Sequence, residues 1–365
     1  MPSSHLARAR HWSAAALLTA LLIACAGPTA TPTPQVTPVP TSTPDPTPVP
    51  GPPDPAPLSW VEHTASPIPL YEGQGAAVNG RLYVFGGFDK NVDGQPIATR
   101  AAHVYDPATD QWATLNDIPD AVTHAGVAVD GTVLYVAGGF LGNHPGPQTD
   151  HVWKYDTTAD HWTAMPPLPR ARGAGALVRL GRELHYFGGT ERTADGHYLQ
   201  DDGDHLVLSL DAPTTWRQAA PLPNPRNHLG GAVLGGMIYA VGGQHLGNEA
   251  YSDQTDVDRY DPATDTWTAV ASLPMPLGHI TASTIVLGSR LVVVGGVTLA
   301  THAGANEGLE SDEVTAYDPA TDQWAPLTSL PGPRQSPVAD VIANTLVVTT
   351  GSTAEGPVDN TWTGH

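Results

Sequence analysis

Short apolar runs recur along this chain at a nearly constant interval, and each stops at glycine. Leu82-Tyr83-Val84-Phe85 ends at Gly86-Gly87, and Leu134-Tyr135-Val136-Ala137 ends at Gly138-Gly139. Ile238-Tyr239-Ala240-Val241 ends at Gly242-Gly243, Leu291-Val292-Val293-Val294 at Gly295-Gly296, and one more doublet stands at Gly188-Gly189. Four apolar residues closed by glycine predict a short buried strand rather than a helix. The doublets lie 52, 50, 54 and 53 residues apart, and a degenerate one, Thr350-Gly351, follows after 55.

A second mark comes about twenty residues after each doublet. It reads Tyr105-Asp106-Pro107-Ala108-Thr109-Asp110-Gln111-Trp112, and it returns at 155–162, 260–267 and 317–324, with a worn copy from Leu210-Asp211 to Trp216. Asp-Pro-Ala-Thr-Asp suits a tight turn, because Asp accepts from free backbone N–H groups and Pro presets φ. The Trp that follows is large enough to fill a gap between two sheets. A repeat of about fifty residues carrying Gly-Gly and Tyr…Trp resembles the kelch repeat. The resemblance runs from about residue 58 to the C-terminus.

It implies an all-β fold, a six-bladed kelch β-propeller whose blades each have four antiparallel strands, a to d from the axis outward. The doublet then ends strand b, where backbones crowd and a Cβ would clash. Six tryptophans hold the strand-d place: Trp60, Trp112, Trp162, Trp216, Trp267 and Trp324. Trp60 precedes the first doublet, and 358–362 can supply only a strand c. Residues 58–62 are therefore expected to complete the last blade, so that an N-terminal strand closes the ring.

The segment before the repeats has a different composition. Arg8 and Arg10 precede an apolar run, 14–23, that is too short to span a membrane comfortably. Leu22-Ile23-Ala24-Cys25 resembles a bacterial lipobox, which implies a signal peptide over 1–24 and acylation of Cys25, the sole cysteine. Residues 25–57 form a Pro/Thr-rich linker with little to bury. At ~3.1 Å per residue it could hold a domain up to about 100 Å from a membrane. Residues 58–365 form the propeller. The expected location is a cell surface or periplasm, lipid-anchored to a bacterial membrane.

Formal charge is −20, from 16 basic and 36 acidic residues; removing 1–24 takes two arginines and leaves 14 − 36 = −22. Such a charge argues against nucleic acid as a partner. The expected partners are the membrane, through the lipid on Cys25, and a protein, peptide or glycan ligand.

The c–d turns are nearly identical, whereas the b–c loops (88–100, 140–149, 190–204, 244–255 and 297–312) differ. Loops that vary on a repeating scaffold are the expected recognition surface. On the same face, the d–a connections lead into strand a beside the axis. Aligning the repeats pairs Leu70 with Glu72, Ala121 with Thr123, Arg170 with Arg172, Arg226 with His228, Leu277 with His279, and Arg334 with Ser336. If one side of this register faces the channel mouth, Arg170, Arg172, Arg226 and Arg334 converge there with His228 and His279, as ligand-binding residues suited to an anionic group. In kelch domains that bind acidic peptides, arginines at this strand-a position are typical contacts, and Arg172 looks like the best match. The alternative is that these arginines only tie blades together.

Asp89-Lys90-Asn91-Val92-Asp93-Gly94 matches the start of a calcium loop, with Asp89, Asn91 and Asp93 as oxygen ligands. Arg100 stands where the bidentate Glu belongs, so a polar hairpin tip is the competing reading. No other cofactor is expected. The loop histidines (His144, His151, His197, His205, His245 and His302) lack ligand spacing and read as mostly solvated.

No nucleophile elbow, zincin helix or phosphate loop is present. Copper-radical oxidases share the kelch fold but need a Tyr–Cys crosslink, which Cys25 cannot provide. The reading is a binding module for a protein or glycan, including an anionic one, on the b–c/d–a face. The enzyme alternative is a sialate mutarotase-like isomerase of an acidic sugar, with Glu72, His228 or His279 moving the proton.

Overall fold

The computed structural model describes residues 57–144, 146–192, 199–246, 251–298 and 309–365. The expected signal peptide, Cys25 and nearly all of the linker lie outside the described residues, as do His197 and His302. Six four-stranded antiparallel sheets form a six-bladed propeller. Blade 1 consists of Gln74–Val78, Arg81–Phe85, Ala102–Asp106 and Gln111–Thr114. Blades 2 to 6 open with strand a at Gly126–Asp130, Ala176–Leu180, Gly230–Leu234, Thr284–Leu287 and Val338–Ile342.

The ring closes as expected. Trp60–His63 is the outermost strand of blade 6, pairing antiparallel with Thr361–Gly364 in the register Trp60↔Gly364 to His63↔Thr361. Strand c of that blade starts a little later than expected, and Val358 instead bridges to Leu70.

Strand b explains the unbroken apolar runs. Side chains alternate across a strand, and both faces of each blade are covered by a neighbour. Leu82 and Val84 pack with Val338 and Val347 of blade 6, while Tyr83 and Phe85 pack with Leu134, Val136 and Tyr155 of blade 2. The core is thus a series of layers between blades. The doublets are needed for the reason expected. Gly86 and Gly87 have φ of 65° and 82°, and a Cβ on Gly86 would lie 2.5 Å from the Val122 carbonyl oxygen.

The Tyr…Asp…Trp mark is a clasp between blades. In blade 4, the Tyr260 hydroxyl donates to Asp265 at 2.8 Å, the Ala220 N–H of the preceding blade donates to the same carboxylate at 2.8 Å, and Trp267 Nε1–H donates to the Ala220 carbonyl at 2.9 Å. The same geometry recurs at Tyr155, Asp160 and Trp162, and at Tyr317, Asp322 and Trp324.

The b–c connections are small hairpins of their own, such as Phe88–Val92 with Gln95–Ala98, and Thr190–Arg192 with Leu199–Asp201. Single bridges clamp them to the d–a segments: Tyr71↔Phe88, Gly173↔Thr190, Asn227↔Gln244, Gly278↔Val297 and Gln335↔Ser352. Hairpins and d–a segments therefore share one face.

Candidate functional site

The d–a segments share one backbone device. Glu72, His124, Ala174, His228, His279 and Ser336, one per blade, have φ of 53°, 55°, 57°, 51°, 56° and 48°. This left-handed turn sets the backbones of Glu72, His124, Ala174 and His228 into a chain of hydrogen bonds from blade to blade, which Ile280 N–H continues to His228 O at 3.4 Å. His124 N–H donates to Glu72 O at 3.2 Å, Ala174 N–H to His124 O at 3.0 Å, and His228 N–H to Ala174 O at 2.8 Å. Two residues earlier, the carbonyls of Leu70, Val122, Arg172, Arg226, Leu277 and Arg334 accept from the second doublet glycine of the preceding blade.

These contacts correct the expected register in two blades. The residues at the mouth of blades 2 and 3 are His124 and Ala174, not Thr123 and Arg172. The constant is the buried Ile or Leu before Pro at Ile118, Leu168, Leu222, Leu273 and Leu330, six residues ahead of each mouth residue. Counting from that anchor would have found His124.

Strands a line an axial cavity of about 330 Å³, with Ala76, Ala128, Val178, Ala232, Thr284 and Asp340 on its walls. At the end where strands a begin, Glu72 and three imidazoles meet. His279 Nδ1 is 2.5 Å from Glu72 Oε1, and His124 Nε2 is 3.2 Å from Glu72 Oε2. Gln335 Nε2–H also donates to Glu72 Oε1 at 3.2 Å. The rings of His228 and His279 lie 4.1 Å apart, and those of His124 and His228 4.9 Å apart. Phe140 stands edge-on to His124 at 5.3 Å.

Burial alone would raise the Glu72 carboxyl. The charges of His124 and His279 and their hydrogen bonds outweigh it and hold the group well below the usual carboxylate range. Burial pulls His279 down, but Glu72 carries it above the usual imidazole value. Burial, with repulsion from the other two rings, drives His228 well below that value. The cluster therefore pairs a carboxylate with one histidine whose protonated form it favours and one whose neutral form burial favours.

The arginines do not converge on this mouth. Arg172 is fully buried and pairs with Asp202 at 2.6 Å and Asp204 at 2.8 Å. Arg170 bridges Glu191, Asp202 and Asp204 at 2.7, 3.0 and 2.7 Å. Two guanidiniums against three carboxylates leave that corner net negative, so it does not attract an anion. Arg226, also fully buried, pairs with Asp258 at 2.9 Å and donates to the carbonyls of Gly242, Ala240 and Asn224. Arg334 donates to Asn360 at 3.0 Å and lies over the Trp362 ring at 4.3 Å. All four tie the d–a segment to the outer part of their own blade. For Arg172, Arg226 and Arg334 the physical reason is the turn at the mouth residue, which leaves the position two before it pointing into the blade, whereas Arg170, two residues earlier still, is half exposed and held by the acidic groups around it.

Asp89, Asn91 and Asp93 sit on the Phe88–Ala98 hairpin, with Asp93 and Gly94 forming its left-handed tip at φ 51° and 78°. Lys90 Nζ lies 3.8 Å from Asp89 Oδ1. His205 is not a solvated loop histidine. It is buried on a strand c, with its Nε2 2.9 Å from His185 Nδ1.

A family model described as the KLHDC2/KLHL20/DRC7 Kelch-repeats domain matches residues 123–351, and one described as the Kelch motif matches 74–119. This chain belongs to the kelch-repeat family. It is 28% identical over 294 residues to Kelch-like protein terF of Aspergillus terreus, a match covering 79% of this chain and 62% of that protein. It is 24% identical over 329 residues to Kelch repeat-containing protein At3g27220 of Arabidopsis thaliana, covering 83% and 73%. The match to Kelch-like protein 35 of Mus musculus is 28% over 215 residues, covering 59% of this chain and 34% of that one. The chain thus spans under two thirds of the fungal relative and about a third of the mouse one. Among solved structures, YjhT superposes with a TM-score of 0.64 at 17% identity, covering 82% of this chain and 96% of that one; this likeness is one of fold. Kelch propellers commonly mediate protein binding.

Proposed function

We propose that this kelch protein is a lipid-anchored, extracytoplasmic bacterial binding module, held by acylated Cys25 and a Pro/Thr stalk. Its ligand, a protein, peptide or glycan, binds the face that carries the b–c hairpins and the channel mouth. The carrying observation is the contrast between the two faces. The c–d turns of blades 1, 2, 4 and 5 keep nearly one sequence because each builds the same clasp, whereas the hairpins differ in length and sequence while being clamped to a constant frame.

Thermal shifts of the full chain against acidic peptides, acidic sugars, neutral glycans and Ca²⁺ test this. A ligand at 100 times its dissociation constant stabilises by ~2.7 kcal/mol. A shift lost when 89–97 is replaced by a two-residue turn supports the reading. A shift lost only on changing a c–d turn overturns it. Labelling with palmitate reads the anchor: Cys25→Ser should lose both label and membrane fractionation, and a Cys25→Ser chain that stays labelled removes it.

A second reading has one observation in its favour, the meeting of Glu72 with His279 and His228 at the mouth. That is acid–base machinery for an isomerase of an acidic sugar, although the arginines expected to hold the sugar carboxylate are engaged elsewhere. A mutarotation assay of wild type against Glu72→Gln decides it.

A further inference from the structure

We propose that His124, His228 and His279, with the carboxylate of Glu72, form a binding site for a divalent transition-metal ion of the zinc class on the propeller axis. One ring nitrogen from each histidine lies within 4.8 Å of one from each of the others. A tetrahedral ion holding imidazoles at 2.0–2.1 Å needs nitrogens about 3.4 Å apart, so modest ring rotation closes the set. Among the described residues this is the one group of three or more His, Cys, Asp or Glu side chains with metal-ligand spacing. The ligands come from blades 1, 2, 4 and 5, whose turns are fixed by the chain of blade-to-blade hydrogen bonds. The site is thus built by the scaffold and not by a loop.

The outer partners orient the rings as metal ligands require. Asn227 Nδ2–H donates to the Gln244 carbonyl at 3.0 Å and to Asp201 Oδ1 at 2.5 Å, which leaves Asn227 Oδ1 as an acceptor. That oxygen takes the Nδ1–H of His228, so the Nε2 lone pair of His228 is free for an ion. His279 gives Nδ1–H to Glu72, the carboxylate–histidine arrangement that orients a metal-bound imidazole. His124 is held at Nδ1 by Thr123 Oγ1 at 2.8 Å and presents Nε2 to Glu72. A cation between that nitrogen and the carboxylate replaces the proton they share. Three imidazoles and one carboxylate suit zinc, copper or nickel, whereas calcium and magnesium prefer oxygen alone. This inference is independent of partner binding on the hairpin face, and either can fail without the other.

The test is metal content and affinity of the full chain, stripped with EDTA and dialysed against Zn²⁺ or Co²⁺. One ion per chain is expected, with the intense visible absorption of tetrahedral Co²⁺. His124→Asn, His228→Asn and His279→Asn each weaken binding at least tenfold, and Asn is chosen because it tolerates a left-handed backbone. Glu72→Gln weakens it about 10–100-fold. His151→Asn, at an exposed position, changes nothing. No retained ion, a pale octahedral Co²⁺ spectrum, or unchanged affinity in a His228→Asn/His279→Asn chain that still melts cooperatively would overturn the site. The spectrum is read on the wild-type chain, so a variant that fails to fold does not rescue the idea.

Discussion

Asp265 in blade 4 accepts a 2.8 Å hydrogen bond from the backbone N–H of Ala220, which belongs to blade 3. The same carboxylate takes the Tyr260 hydroxyl, and Trp267 returns an indole N–H to the Ala220 carbonyl. A local turn motif thus does long-range work, joining sheets whose residues lie about 45 apart in sequence.

This clasp has a measurable worth. Asp265→Ala strips the acceptor from Tyr260 and Ala220 and puts Ala at φ 52°. The loss should be about 2–3 kcal/mol in urea unfolding, set by the unpaired donors and the strained turn. Asp265→Asn keeps a side-chain oxygen and tolerates the left-handed backbone, so it should lose less than half as much. An Asp265→Ala chain within 0.5 kcal/mol of wild type would show that the clasp is incidental.

The clasp and the doublets were legible in the sequence because each meets a backbone need that most blades share. A repeated need leaves a repeated mark. The mouth was half legible. His228 and His279 follow Arg226 and Leu277 by two, and Glu72 follows Leu70 by two, as the left-handed turn requires. His124 was hidden because blade 2 offers Ala121-Val122-Thr123-His124 with no arginine to align, and the frame is set by Ile118 instead. The role of the arginines was the part sequence could not resolve. The partner of Arg172 arrives from the b–c connection of its own blade and that of Arg226 from strand c of its own blade, each about 30 residues on. Only the fold shows that they reach the guanidiniums before any ligand could.

Arg226 should therefore matter for stability. It is fully buried, pairs with Asp258 and saturates three carbonyls. Arg226→Ala leaves a buried carboxylate and those carbonyls unpaired, and should cost about 3–5 kcal/mol. Arg226→Lys should recover only part of it, because an ammonium cannot reproduce the planar fork. Denaturant midpoints of the two variants check this. Full stability of Arg226→Ala with a loss of ligand binding would return the residue to the recognition surface.

The buried pair His185 and His205 predicts how stability changes with acid. Their ring nitrogens are 2.9 Å apart, and the contact can hold one added proton but not two. Burial, with the charge of Arg217, lowers His185 from 6.5 to about 4, and burial with the neighbouring His185 lowers His205 to about 3. Both folded values lie below the unfolded one, so the unfolded chain binds these protons first. The contribution is complete above about pH 6.5 and is lost as pH falls from there towards 4 and 3. Asp110, Asp265 and Asp322, held below 3.8, act mainly in stronger acid, whereas Glu72, lowered from 4.5, and Asp340, raised by burial, also titrate towards the acid end of this window. His103 and His228 are also lowered, so the decisive quantity is a difference between chains. In wild type the slope of unfolding free energy with pH should exceed that of His185→Gln/His205→Gln, by at most ~1.4 kcal/mol per pH unit for each histidine removed. Equal slopes in urea titrations between pH 6.5 and 4 would mean that the pair stays solvated enough to protonate in the folded state.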